Sequence, residues 1–165
     1  MDDRGATENQ ETGREPQRVP SPPAVVPQGD GSGFDGLGLS ATTLEAVRRA
    51  GYSQPTPVQA GLIPRAIAGI DVLGQARTGT GKTASFVLPI LERLTASPGR
   101  EKGVRAIVLV PTRELAVQVR DEFEKLAAGS HLHCVAVYGG KPIKGQIDKL
   151  AKHPEVVVGT PGRVL

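Results

Sequence analysis

Residues 76–83 read Ala-Arg-Thr-Gly-Thr-Gly-Lys-Thr. Glycines at this density let the backbone curl until successive N–H groups point inward, a geometry that holds phosphate oxygens. Lys82 has the charge and the reach to meet the β and γ phosphates of a nucleoside triphosphate. The Thr83 hydroxyl offers an oxygen to Mg2+, directly or through water. Lys82 and Thr83 are therefore the catalytic candidates, with Thr83 also the metal candidate. Ala76, Thr78, Gly79, Thr80 and Gly81 complete the expected cradle. Ala76 stands where such loops usually open on Gly, but only the later glycines must approach the phosphates. Setting decides what the string means: a strand is expected before it and a helix after it, whose dipole adds positive potential at the loop.

A phosphate loop does not select a base. Guanine is usually read by an Asn-Lys-x-Asp loop, and the only asparagine of the chain is Asn9, in a segment of quite different character. Upstream of the loop lies Gly51-Tyr52-Ser53-Gln54-Pro55-Thr56-Pro57-Val58-Gln59, with Phe34 placed 17 residues before Gly51. This segment resembles the Q motif of DEAD-box ATP-dependent RNA helicases. The resemblance implies that the Gln59 amide reads the adenine edge. An amide offers a donor and an acceptor together, as adenine N6 and N7 require. It also implies that Tyr52 stacks on the base and that Phe34 supports the pocket.

Three further segments extend the resemblance over residues 34–165. Pro111-Thr112-Arg113-Glu114-Leu115-Ala116 looks like the family's motif Ia, Tyr138-Gly139-Gly140 like its glycine doublet, and Thr160-Pro161-Gly162-Arg163 like motif Ib. In the family these grip the sugar–phosphate backbone of one RNA strand. The chemistry suits that role: Arg113 and Arg163 supply guanidinium forks, the glycines expose N–H groups, and Thr112 and Thr160 offer hydroxyls that also cap helices. Backbone contacts carry no sequence information, so binding should be sequence-tolerant and salt-dependent. No aromatic platform for stacking bases is apparent in the sequence.

The elements that must carry these motifs follow from pattern. Ser40 is an N-cap for a short helix ending at Gly51. Pro55 and Pro57 hold the next stretch extended, and a helix over 58–68 follows, bent at Pro64. Residues 71–73 should form the strand before the phosphate loop, and 83–94 the helix after it. Residues 104–110 are nearly all apolar, as a strand buried on both faces should be. A helix over 113–128 puts Ala116, Val119, Phe123 and Leu126 on one stripe. A strand over 134–137, a helix over 143–151 and a buried strand over 156–158 complete an α/β alternation. Such alternation predicts a parallel sheet flanked by helices, with ligands at the carboxyl ends of its strands. By resemblance this is a partial N-terminal RecA-like lobe.

Composition sets the limits. The 165 residues suffice for one domain of ordinary size, and with 3% aromatics and no Trp its core must be aliphatic. Residues 1–33 hold six acids against three bases, so the rest of the chain carries +6 of the overall +3. A basic domain behind an acidic segment suits a polyanionic partner. Residues 1–33 are rich in Pro, Gly, Gln, Glu and Ser and are expected to be a disordered tail. Cys134 is the single thiol, so no internal disulfide is expected, and its reading beside His131 and His133 is a buried apolar side chain rather than a metal ligand. No apolar run approaches the roughly 20 residues of a membrane span, and no secretory signal opens the chain. A cytoplasmic setting is expected.

The family's acidic Asp-Glu-Ala-Asp motif would follow residue 163 and is not among these residues. Asp121-Glu122-Phe123-Glu124 is no substitute: it lies mid-helix and ahead of the glycine doublet, and it is expected to be a solvated helix face. Arg77 is expected to point to solvent. The sequence thus supports an ATP-dependent RNA helicase using ATP, Mg2+ and RNA, in which this lobe binds and hydrolysis needs the acidic motif and a second lobe. Two alternatives stay open: a non-catalytic ATP- and RNA-binding chain, and a different phosphate-loop motor acting on DNA.

Overall fold

Helix starts are where the chain's local chemistry is plainest. In the computed structural model, which describes residues 33–77, 79–97 and 103–165, Phe34–Leu37 is a 3-10 turn and α1 spans Ala41–Arg49. Ser40 caps α1, its hydroxyl accepting from the Thr43 N–H at 3.4 Å. Helix α2, Pro57–Ile67, opens with Pro at its first position, and Thr56 and Gln59 form a capping box. It continues past Pro64, whose missing N–H removes one helical bond without ending the helix. The tail reading for residues 1–32 and the Thr78 assignment lie outside the described residues.

Beyond the phosphate loop run α3 (Lys82–Ala96), β1 (Ala106–Leu109), α4 (Arg113–Leu126), β2 (Cys134–Val137), α5 (Ile143–Leu150), β3 (Val156–Gly159) and a four-residue α6 (Pro161–Val164). The sheet has the order β1-β3-β2 and is wholly parallel: Ala106 and Cys134 both pair with Val156, and Leu109 and Val137 both pair with Gly159. Parallel pairing needs long crossovers, and α4 and α5 serve as those crossovers. Central β3 is buried throughout. Each of its valines contributes roughly 1.5–3 kcal/mol by leaving water. The core joins α3 (Val87, Leu88, Leu91) to the apolar stripe of α4, where Ala116, Val119, Phe123 and Leu126 are buried as their spacing requires. No helix of the described residues is long and apolar enough to cross a membrane.

Two strand expectations are corrected. Residues 71–73 form no strand, and Leu73 is 91% exposed. A strand exists only through the ladder of a neighbour, and no described strand runs beside them. Strand β1 is not buried on both faces either: Ala106 and Val108 pack on the core while Ile107 and Leu109 are 58% and 57% exposed. In this sheet β1 is an edge strand with one open face, so an apolar run was not proof of two-sided cover.

Candidate phosphate and nucleic-acid clefts

The phosphate loop is held from behind by α2. The Thr56 hydroxyl donates to the Thr80 carbonyl at 2.8 Å, and Gln59 Nε2 donates to the Gly81 carbonyl at 3.0 Å. Gln59 Oε1 accepts from the Thr56 N–H at 2.9 Å. Gln59 is 0% exposed, so both ends of its amide are committed inside the chain, and each keeps one further hydrogen-bonding position. Gly81 has φ 76°, in the left-handed region, and ends the loop as the N-cap of α3. A Cβ there would run into Gln59 Nε2, so glycine is required by space as well as by backbone.

Inside the loop, Lys82 Nζ donates to the Ala76 carbonyl at 2.6 Å, and the Thr80 hydroxyl donates to the Arg77 carbonyl at 2.7 Å. The lysine thus arches over the loop it would share with phosphate. Thr83, in the first turn of α3, is half-buried beside it, and Gly79 is exposed with φ 79°. Arg77 is exposed, as expected. A loop bounded by two left-handed glycines, closed by its own lysine and opening a helix N-terminus fits a triphosphate and its Mg2+.

Phe34 and Tyr52 are brought together, ring centroids 6.0 Å apart and edge to face, with Phe34 buried. The Tyr52 hydroxyl donates to Glu122 on α4 at 2.7 Å, and the Lys125 ammonium sits 5.6 Å from the Tyr52 ring centroid. Burial first, then the Glu122 carboxylate, push the phenol above its ordinary pKa. Glu122 is therefore not a solvated helix face: it is half-buried and fixes Tyr52. Nothing local marks that role, since its partner lies 70 residues away.

The three expected RNA segments converge. A shallow cleft of about 430 Å3 is lined by Arg113, Glu114, Tyr138, Gly139, Gly140 and Lys141. Thr112 caps α4, its hydroxyl accepting from the Leu115 N–H at 3.3 Å, which directs Arg113 to the cleft end of the helix. Thr160 precedes α6 without a side-chain cap, but its N–H donates to the Val137 carbonyl at 3.1 Å. Arg163 Nη1 donates to the Lys141 carbonyl at 3.3 Å, joining the last segment to the glycine turn. Pro111, Pro161 and Gly162 are exposed. Arg113 Nε donates to Glu114 at 2.6 Å, and that guanidinium holds the Glu114 carboxyl below the usual carboxylate range. Both are exposed, so the pair lies in open water and holds Arg113 only weakly. Lys141 was missed from sequence, and Tyr138, read only as the residue that opens the glycine-doublet segment, brings an aromatic surface to a cleft thought to have none. The Tyr-Gly-Gly-Lys string was the available signal.

A second cleft, about 470 Å3, lies at the opposite end of β2, with Arg120, His133, Lys149 and Lys152 on its walls. Cys134 also borders it, but the residue is buried, and that burial pushes its thiol up to about 12. Among the described residues, no group of three or more His, Cys, Asp and Glu side chains could hold a metal ion.

The family model for DEAD/DEAH box helicases matches residues 56–165. The chain is 48% identical over 132 residues to the ATP-dependent RNA helicase CshA of Limosilactobacillus reuteri, covering 79% of this chain and 26% of that protein. It is 46% identical over 132 residues to the DEAD-box ATP-dependent RNA helicase CshA of Geobacillus kaustophilus, covering 80% and 28%. Among solved structures, a DEAD box protein from the hyperthermophile Methanococcus jannaschii superposes with a TM-score of 0.74 at 45% identity, over 81% of this chain and 36% of that one. A hypothetical ATP-dependent RNA helicase from Sulfolobus tokodaii gives 0.67 at 35% identity, over 76% and 35%. The chain therefore spans about a quarter of the length of the curated relatives it matches.

Proposed function

Because the chain belongs to the DEAD/DEAH box helicase family, we propose that it is the ATP-binding and RNA-gripping part of an ATP-dependent RNA helicase, built on a RecA-like fold. The observation that carries this is the double clamp of Thr56 and Gln59 on residues 80–81. It ties a candidate base-reading segment to a phosphate loop within one hydrogen-bonded unit. Lys82 exchanges the Ala76 carbonyl for the β and γ phosphates, and the main-chain N–H groups of Gly79 to Lys82 surround them. The Thr83 hydroxyl holds Mg2+, which supplies charge neutralisation at the phosphates when bound. Gln59 meets adenine once its buried amide turns out of the clamp, and Tyr52, steadied by Phe34, supplies the stacking surface.

RNA lies across the cleft of Arg113 and the Gly139–Gly140 turn, with Arg163, Thr112 and Thr160 along the same rim. The contacts go to phosphate and sugar, so one strand is held without regard to sequence. Among the described residues, the hydrogen bonds around the phosphate loop involve no carboxylate and no arginine side chain. Phosphoryl transfer uses both. Hydrolysis and strand separation are thus assigned to a helicase assembly that supplies them, and binding to these residues. The same observation favours one other reading, ATP and RNA binding without turnover.

ATP hydrolysis by the purified protein, with and without single-stranded RNA, tests both. RNA-stimulated hydrolysis that disappears in Lys82→Ala supports the helicase reading. ATP binding with no turnover supports the second. Absence of ATP binding overturns both.

A further inference from the structure

Gln146 is the only buried residue of α5, at 8% exposure, on a helix that otherwise shows even Ile143 and Ile147 to solvent. Its carboxamide faces the main chain of Tyr138 and pairs with it twice. Gln146 Oε1 accepts from the Tyr138 N–H at 2.8 Å, and Nε2 donates to the Tyr138 carbonyl at 3.1 Å. Tyr138 is the first residue beyond β2, an edge strand whose ladder to β3 ends at Val137 and Gly159. One step on, the chain turns through Gly139 and Gly140, and Gly140 has φ 81°. An ideal Cβ on Gly140 would lie 3.3 Å from Arg113 Nη1.

We propose that Gln146 is the positioning residue of the nucleic-acid cleft, its amide standing in for a neighbouring strand and so fixing the direction in which the Gly139–Gly140 turn leaves the sheet. This rests on the RNA-binding reading of that cleft. A primary amide is the one side chain whose donor and acceptor match both groups of a peptide unit at once. Glutamate supplies only acceptors and would face the Tyr138 carbonyl with like charge. Leucine supplies neither group and leaves the N–H and carbonyl unpartnered beside the core. Either change frees the turn to rotate, so its N–H groups no longer converge with Arg113 and Lys141 on one phosphate. Gln146 itself bears no charge and need not touch RNA.

The test compares the purified protein with Gln146→Glu and Gln146→Leu. RNA affinity is read from the anisotropy of a labelled oligouridylate across a salt series, in the presence of ATP. Binding of inorganic tripolyphosphate reports the separate phosphate loop, and the thermal midpoint reports the fold. Expected is a loss of RNA affinity of about tenfold, the scale of one or two ordinary hydrogen bonds. The slope of log affinity against log salt should not change, because the cations remain, and tripolyphosphate should bind as before. Unchanged RNA affinity in both variants overturns the proposal. So does parallel loss of RNA and tripolyphosphate binding with a lowered thermal midpoint, which would make Gln146 a residue of the fold alone. If the unaltered protein binds no RNA, the reading of the cleft fails and takes the proposal with it, and that result is distinct from the other two.

Discussion

Gly81→Ala separates two costs that the structure places at one atom. The first is conformational: φ is 76°, and an L-residue held there pays about 1–2 kcal/mol. The second is a collision with Gln59 Nε2, the group that donates to the Gly81 carbonyl at 3.0 Å. Gln59 is 0% exposed, so water cannot replace the lost partner, and an unsatisfied buried group costs about 1–3 kcal/mol. Gly79→Ala is the control. Its φ is 79°, but among the described residues no atom beyond its chain neighbours lies within 4 Å of the added methyl. Urea unfolding followed by circular dichroism should show Gly81→Ala less stable than Gly79→Ala by about 1–3 kcal/mol, at equal m-values. The clamp should also be visible in binding, with ATP affinity falling further in Gly81→Ala than in Gly79→Ala. Equal destabilisation by the two substitutions would refute the claim that Gln59 braces the loop.

Two further outcomes follow from groups far from the loop. Tyr52→Phe removes the hydroxyl that donates to Glu122 and should cost about 1–2 kcal/mol in urea unfolding; a double-mutant cycle with Glu122→Ala that shows simple additivity would discard the contact. Cys134 has its thiol pKa raised from 9.0 to about 12 by burial, so its contribution is complete below pH 9 and is lost as pH climbs to about 12. Cys134→Ala should therefore flatten the decline of stability across that window in a pH series of urea unfolding, and the native thiol should resist alkylation near pH 8.

What was legible in the sequence was what is decided within a few residues. Ser40 and Thr112 cap the helices they precede, the stripe of α4 is buried at its expected positions, and β2 and β3 lie where their valines indicate. Residues 71–73 and the outer face of β1 were misread because a strand's state depends on its neighbours in space, which an apolar run does not name. Polar side chains were the hardest. Glu122 looked like solvent-facing charge and Gln146 drew no notice, since each acquires meaning only from a partner placed by the fold: Tyr52 across 70 residues, Tyr138 from the far side of the glycine turn. The candidate loop residues were readable because the chemistry of phosphate binding is written contiguously. How that loop is braced was not, because the brace arrives from α2.

Helix α4 begins at the candidate nucleic-acid cleft with Arg113 and is held nine residues later to the aromatic pair by Glu122. A helix rises about 1.5 Å and turns about 100° per residue, so α4 behaves as a ruler of roughly 13 Å between those two points. Their separation is set by a residue count rather than by a loop that can stretch. Adding or removing a single residue between them would swing one end about 100° around the axis and force it to let go. Either end of this gauge can thus be altered by substitution without disturbing the other, whereas a change in its length disturbs both.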